Sequence, residues 1–244
     1  MNIKMILAYD GTDFLGWQRS SDGPTIEETV QTVLEQIYQH PMMLQAASRT
    51  DRGVHAARQV VNYRTEKRLD LNRLLISLNQ LLPKAIRVLA LEEAPETFHP
   101  TLDAKGKIYH YELYQGAVQS PFSRHLSWHI HTPLDLDLMR EGARSLVGRH
   151  DFASFTNRQD PRPTNTIRTL RRLDLFEEGS SIRFEVEGDN FLYKMVRNLV
   201  GTLVYLGLGK LSLEQTNALL TEHDRTIAGI TAPAHGLTLY NVNY

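Results

Sequence analysis

One carboxylate stands alone among cations in the stretch Ser48-Arg49-Thr50-Asp51-Arg52-Gly53-Val54-His55-Ala56. Asp51 is the only acidic residue between Gln36 and Thr65, and Arg49, Arg52, His55, Arg58 and Arg64 are its neighbours in sequence. Nearby positive charge favours the ionised form of a carboxylate, whose reference pKa is about 3.9. Such a group can act as a nucleophile or stabilise a cation at neutral pH without a partner base. The same cations would hold a polyanion over it. Thr-Asp-Arg-Gly is also good turn chemistry, with Gly supplying positive φ, so residue types alone leave a catalytic and a purely structural turn both open.

A second cluster of charge lies between Arg140 and Arg172. Eight arginines (140, 144, 149, 158, 162, 168, 171 and 172) face three acids (Glu141, Asp151 and Asp160), a local balance of +5 within a chain of net charge −1. Affinity for a polyanion follows the charge at the interface rather than the total. A solvated loop explains the same composition. His125, His129 and His131 raise a third chemistry, a metal-dependent hydrolase. No acid lies between Glu112 and Asp135 to complete the ligand set, and a solvated histidine-rich strand is the better reading. The 244 residues contain no cysteine, which excludes disulfides, thiolate nucleophiles and cysteine metal sites. No apolar run approaches the length of a membrane span. The N-terminus MNIKMILAYDG lacks the marks of a signal peptide, so the cytoplasm is the expected location.

These residues sit on a regular framework. Ile3 to Asp10 reads as a strand. Thr25 and Glu28 form a T-x-x-E capping box ahead of Ile26, Val30, Val33, Leu34 and Ile37 at helical spacing. Strands are expected near Met42 to Ser48, at Arg58 to Arg64 and at Ile86 to Leu91. A second helix carries Leu71, Leu74, Leu75, Leu78 and Leu82. Lys107 to Tyr114 is a strand and Asp135 to Val147 a helix. Leu170 to Phe176 and Ile182 to Glu187 form a hairpin around Glu177-Glu178-Gly179-Ser180. Phe191 to Leu208 is an apolar helix, Ser212-x-x-Gln215 opens another, and Thr238 to Val242 closes the sheet. The pattern is α+β: two β-α-β-β-α-β (ferredoxin-like) halves whose antiparallel sheets are covered by helices. The expected halves are 1–100 and 101–244, with the boundary near Pro95 to Lys105.

Arg49-Thr50-Asp51-x-Gly53-Val54-His55-Ala56 resembles the R-T-D-x-G-V-H-A signature of the tRNA pseudouridine synthase A family. Other matches follow in the family's order from residue 9 to residue 239. They are Tyr9-Asp10-Gly11-Thr12-x-Phe14-x-Gly16-Trp17-Gln18, Phe98-His99, Lys107-x-Tyr109-x-Tyr111, Asp151-Phe152-x-Ser154-Phe155 and Asn165-Thr166-x-Arg168. Lys194-Met195-Val196-Arg197-Asn198-x-Val200-Gly201 and Gly236-Leu237-x-Leu239 complete the set. Two positions depart from the family pattern: Arg52 replaces a residue that is usually small, and Ser48 stands where glycine is common. Neither removes a catalytic group, but Arg52 bears on phosphate contacts.

The resemblance implies the pseudouridine synthase fold and isomerisation of uridine in the tRNA anticodon stem-loop, at nucleotides 38, 39 and 40. It implies a homodimer, and no cofactor or metal, since the reaction conserves atoms and oxidation state. Asp51 is implied as the catalytic carboxylate, with attack at uracil C6 and action at ribose C1′ both open. Tyr109 matches the active-site tyrosine, on a strand where an aromatic ring can stack on a flipped base. Arg197 matches the basic residue that pairs with the catalytic carboxylate, and it interrupts an apolar run where an unpaired charge is costly. Arg49 would replace the extruded base or contact phosphate. Arg52, Lys194, Arg158, Arg162 and Arg168 are candidate phosphate contacts, and His55 is expected to be structural. A noncatalytic RNA-binding module would use the same basic loop and aromatics. A glycosidase would need a second carboxylate beside Asp51, and none is evident.

Overall fold

Ile3, Met5, Leu7 and Tyr9 alternate with less buried residues, so β1 (Asn2–Tyr9) turns one face wholly into a core. The computed structural model describes residues 1–157 and 165–244 and resolves them into two compact units. One comprises Met1–Lys105 with Thr238–Tyr244, and the other Gly106–Leu237.

In the first unit the order is β1, α1 (Ile26–Tyr38), β2 (Leu44–Ala46), β3 (His55–Arg64), α2 (Leu71–Leu81) and β4 (Ile86–Ala94). Strand β1 lies between β3 and β4 and is antiparallel to both. Short β2 pairs antiparallel with β3 at residues 61 to 63. This is the β-α-β-β-α-β order expected from the sequence. Ile26, Val30 and Leu34 of α1 are fully buried. Each such side chain contributes about 1.5–3 kcal/mol, more than a helix of this length gains from its own propensity. The α1 cap differs from expectation in one half. The Thr25 oxygen accepts the Glu28 amide at 3.3 Å, but the Glu28 carboxylate is taken by Arg19, whose Nε and Nη2 both donate at 3.1 Å.

The last strand does not stay with the second unit, where sequence order assigned it. Its pairing, in β10 (Leu237–Asn243), is parallel with β3, at Thr238 with His55 and Leu239 with Ala56. That stretch of β3 lies beyond the reach of three-residue β2, and an unpaired strand edge is a template for pairing. The Lys105 amide donates to the Asn243 carbonyl and the Tyr244 hydroxyl to the Pro100 carbonyl, both at 2.8 Å.

The second unit carries β5 (Gly106–Tyr114), β6 (Trp128–His129), α3 (Leu136–Leu146), β7 (Gly148–Asp151), β8 (Ile167–Glu178), β9 (Ser181–Gly188), α4 (Met195–Gly207) and α5 (Leu213–Glu222). The antiparallel order is β5-β9-β8-β7, and β6 runs parallel to the end of β5. Gly179 takes φ 58 in the β8–β9 turn, as that hairpin requires. Helix α4 begins four residues later than its apolar pattern suggests. Asp189 Oδ1 accepts the Asn190 amide at 2.6 Å and Asn190 Oδ1 the Phe191 amide at 2.8 Å. Such local bonds offer the backbone an alternative to helix. Ser212 and Gln215 form both bonds of a capping box at the start of α5. Among the described residues, no helix is long and apolar enough to cross a membrane.

Candidate active site

Asp51 occupies the turn between β2 and β3, and that turn is fixed from beneath by buried neutral side chains. Gln59, fully buried on β3, donates from Nε2 to the Ser48 carbonyl at 2.6 Å and accepts the Ser48 amide through Oε1 at 3.2 Å. The Tyr9 hydroxyl and Thr50 Oγ1 share a buried hydrogen bond of 2.7 Å. The Trp17 amide donates to the Thr50 carbonyl at 2.9 Å, and the Val54 amide to the Asp51 carbonyl at 3.1 Å, closing the turn. Gly53 supplies the positive φ, at 76°.

The stretch Tyr9 to Gln18 explains itself through this turn. At Gly16 (φ 98°) a Cβ would stand 2.7 Å from the Thr50 carbonyl oxygen, and at Gly11 one would stand 2.1 Å from the Val54 carbonyl oxygen. Any larger residue at either place would push the Asp51 turn outward. The Gly11 amide donates to His55 Nδ1 at 3.1 Å. The Asp10 carboxylate lies 3.1 Å from the same nitrogen. Buried His55 thus serves to hold the backbone. Asp51 itself is half-buried, and Arg49 and Arg52 are exposed on either side of it.

The remaining sequence-identified residues belong to the second unit. On β5, Lys107, Tyr109, Tyr111 and Leu113 are all buried and share one face. The Tyr109 ring meets Phe191 edge-on, with centroids 5.2 Å apart at 86°. The Tyr111 hydroxyl donates to the Pro233 carbonyl at 2.8 Å. Burial raises the Tyr111 phenol well above its usual pKa range, while the positive charge of Arg197 acts in the opposite direction.

Arg197, on the first turn of α4, is half-buried and donates from Nε to the Ala232 carbonyl at 2.7 Å; the Ala232 amide returns a bond to the Arg197 carbonyl at 3.1 Å. The segment around residue 230 lies against the helix backbone at Gly201, where a Cβ would be only 1.7 Å from the Ile230 carbonyl oxygen. Buried Asn198 donates to the Phe155 carbonyl at 2.7 Å and accepts from Thr231 Oγ1 at 2.7 Å and Arg225 Nη2 at 2.9 Å. Two of the sequence motifs therefore meet here, with the segment around residue 230, as one hydrogen-bonded brace. Lys194, in the left-handed conformation just before α4, lays its ammonium over the Tyr193 ring at 4.8 Å.

The basic stretch is less exposed as free charge than its composition implies. Arg140 pairs with Asp137 and Glu177, Arg171 with Glu187, and Arg172 with Glu185 and Glu187. These carboxylates come from neighbouring positions in the fold that a running charge count misses. Arg168 donates to the carbonyls of Asn165 and Ile167. Arg158 and Arg162 lie outside the described residues. The His129 and His131 rings are 4.0 Å apart and His129 Nε2 bonds the Gly116 carbonyl. Among the described residues, no group of three His, Cys, Asp or Glu side chains could hold a metal ion. Gln59 and Phe191 were not singled out by sequence, and Lys107 only as a member of the motif Lys107-x-Tyr109-x-Tyr111. The available signals were a polar residue ahead of the apolar run of β3 and a lysine at an inward position of β5.

Residues 5–102 and 143–244 match a family model described as tRNA pseudouridine synthase. The chain is 47% identical over 246 residues to tRNA pseudouridine synthase A 2 of Protochlamydia amoebophila, covering 100% of this chain and 94% of that relative. It is 38% identical over 243 residues to tRNA pseudouridine synthase A of a Thermoanaerobacter species, covering 100% and 99% of the two chains. A solved Cbf5-Nop10-Gar1 complex aligns with 97% of this chain and 48% of that chain, at 14% identity and a TM-score of 0.39.

Proposed function

The chain belongs to the tRNA pseudouridine synthase family, and from that premise we propose that it isomerises uridines 38, 39 and 40 of the tRNA anticodon stem-loop with Asp51 as the nucleophile. The reaction breaks the bond from ribose C1′ to uracil N1, rotates the base and joins C1′ to C5. The C5 proton leaves, N1 gains one, and nothing is oxidised or reduced. Asp51 supplies the negative charge that forms a covalent adduct or stabilises the cation at C1′. The observation that carries this reading is the fixed turn. A half-buried carboxylate flanked by exposed Arg49 and Arg52 is held by a backbone whose carbonyls and amides are tied to Gln59, Thr50 and Trp17. Positioning to within a fraction of an ångström is what such chemistry demands.

Tyr109 stacks on the extruded base. Arg49, Arg197, Arg52, Lys194, Arg158, Arg162 and Arg168 act on the RNA as charged contacts. The protein works as a homodimer in the cytoplasm, where a second copy extends the basic surface over more of the tRNA. Incubating the purified protein with an unmodified tRNA transcript and mapping pseudouridine nucleotide by nucleotide tests the reading. Modification confined to 38, 39 and 40 is expected. Modification elsewhere in the tRNA would overturn the assigned positions, and none at all would overturn the activity.

A further inference from the structure

Lys107 is a largely buried lysine for which the described residues provide no partner. Its side chain points to the same face of β5 as Tyr109 and is only 7% exposed. No hydrogen bond or ion pair forms to it among the described residues. The acids nearest in the sheet, Glu185 and Glu187 on β9, stand opposite His110 and Ile108, on the other face. There they pair with Arg172, Arg171 and His110. Burial without a counter-ion pulls the Lys107 pKa down to about 8.

A methionine would fill the same volume without that cost, because an unpaired buried charge destabilises a fold where an apolar side chain would not. Among the described residues no carboxylate compensates this charge, which leaves it available to an anion from outside. The surroundings indicate what arrives. Gly188, the partner of Lys107 across the ladder, has no side chain. The Phe191 ring occupies its place, 3.0 Å from where a Gly188 Cβ would be, and it also contacts Tyr109. Lys107, Phe191 and Tyr109 thus form one wall: a cation at one end and an aromatic face at the other. Two residues along a strand span roughly 7 Å, within the reach of a single nucleotide.

We infer that Lys107 is a further substrate-binding residue, whose ammonium pairs with a backbone phosphate of the nucleotide that stacks on Tyr109. This rests on the reading of Tyr109 as the base-stacking residue of a tRNA-modifying enzyme. A flipped nucleotide enters its pocket with its phosphate attached, and the phosphate brings an anion that the described residues do not offer Lys107.

The test measures two properties of the wild type, Lys107→Met and Lys107→Arg: affinity for an unmodified tRNA transcript over a range of salt concentrations, and thermal unfolding without RNA. Loss of one phosphate contact should make the slope of log affinity against log salt shallower by about 0.7–0.9 in Lys107→Met, with Lys107→Arg keeping the wild-type slope. The same Lys107→Met protein should unfold about 5 °C higher than the wild type, since it no longer buries a charge. A residue needed only for folding would lower the unfolding temperature and leave the slope alone. An unchanged slope, or a lower unfolding temperature, overturns the inference. A fall in turnover with the slope unchanged also overturns it, by placing the ammonium on the base instead. Pseudouridine mapping of the wild type separates the two failures: if the wild type modifies tRNA while the Lys107→Met slope stays unchanged, only the role of Lys107 falls.

Discussion

The Asp51 turn is anchored by neutral hydrogen bonds, whereas the β5–α4 face of the second unit places positive charge in buried and half-buried surroundings. In the first region Gln59, Tyr9, Thr50 and the Gly11 amide hold the backbone through hydrogen bonds between neutral groups. In the second, Arg197 donates to a backbone carbonyl and Lys107 is buried beside aromatic rings. On the function proposed above, the difference follows from what each region would have to do. A reacting carboxylate must stay in place, and neutral bonds achieve this without disturbing its charge. A surface that receives a polyanion must keep positive charge available. Under that proposal, rigidity and available positive charge are assigned to different elements.

That contrast can be broken at three places. Arg197→Met should lower the single-turnover rate of pseudouridine formation by about 10²–10³-fold, the loss expected when one charged or donor group is removed from a transition state. Arg197→Lys keeps the charge but not the planar fork and should retain partial activity. Equal rates for the methionine variant and the wild type would remove Arg197 from the site. Gln59→Leu should have the next largest effect. It strips the Ser48 amide and carbonyl of their partner, costing about 1–3 kcal/mol of stability for each buried group left unsatisfied. The loosened turn should slow catalysis about a hundredfold while tRNA affinity changes little. If affinity falls in step with rate instead, Gln59 supports the RNA surface and not the carboxylate.

The smallest effect concerns pH. Below pH 8 Lys107 is protonated in both the folded and the unfolded chain, so the full cost of its burial is present. As pH rises from about 8 towards its ordinary 10.5, the folded protein releases the proton first. The unfolded state then binds more protons, and stability climbs with pH. The stability advantage of Lys107→Met over the wild type should therefore shrink between pH 7 and pH 10, by up to about 3 kcal/mol in all. Urea unfolding at both pH values would show it, and a constant gap would mean that the ammonium is not short of a partner.

Local signals in the sequence carried much of the fold. The alternation of β1, the Thr25 and Ser212 caps and the Gly179 hairpin are all decided by residues within a few positions of one another. What escaped depends on distant partners. Strand β7 has four residues and little apolar content, and exists because β8 pairs with it. Strand β10 joins β3 because β2 is too short to cover that edge. Glu28 leaves its capping box for Arg19, and the arginines of the basic stretch find carboxylates on other elements. For the candidate site, the Asp51 turn was visible because its residues are contiguous. The braces at Gln59 and Asn198 were not, since a buried amide reveals its purpose only when the backbone groups it satisfies are known.

The most direct measurement of the central claim is pseudouridine formation by Asp51→Asn alongside its tRNA affinity. The amide has nearly the shape of the carboxylate and cannot serve as the anionic nucleophile. Pseudouridine should fall below detection while the dissociation constant stays within a few-fold of the wild type. Formation at close to the wild-type rate would contradict the assignment of Asp51 as the catalytic group.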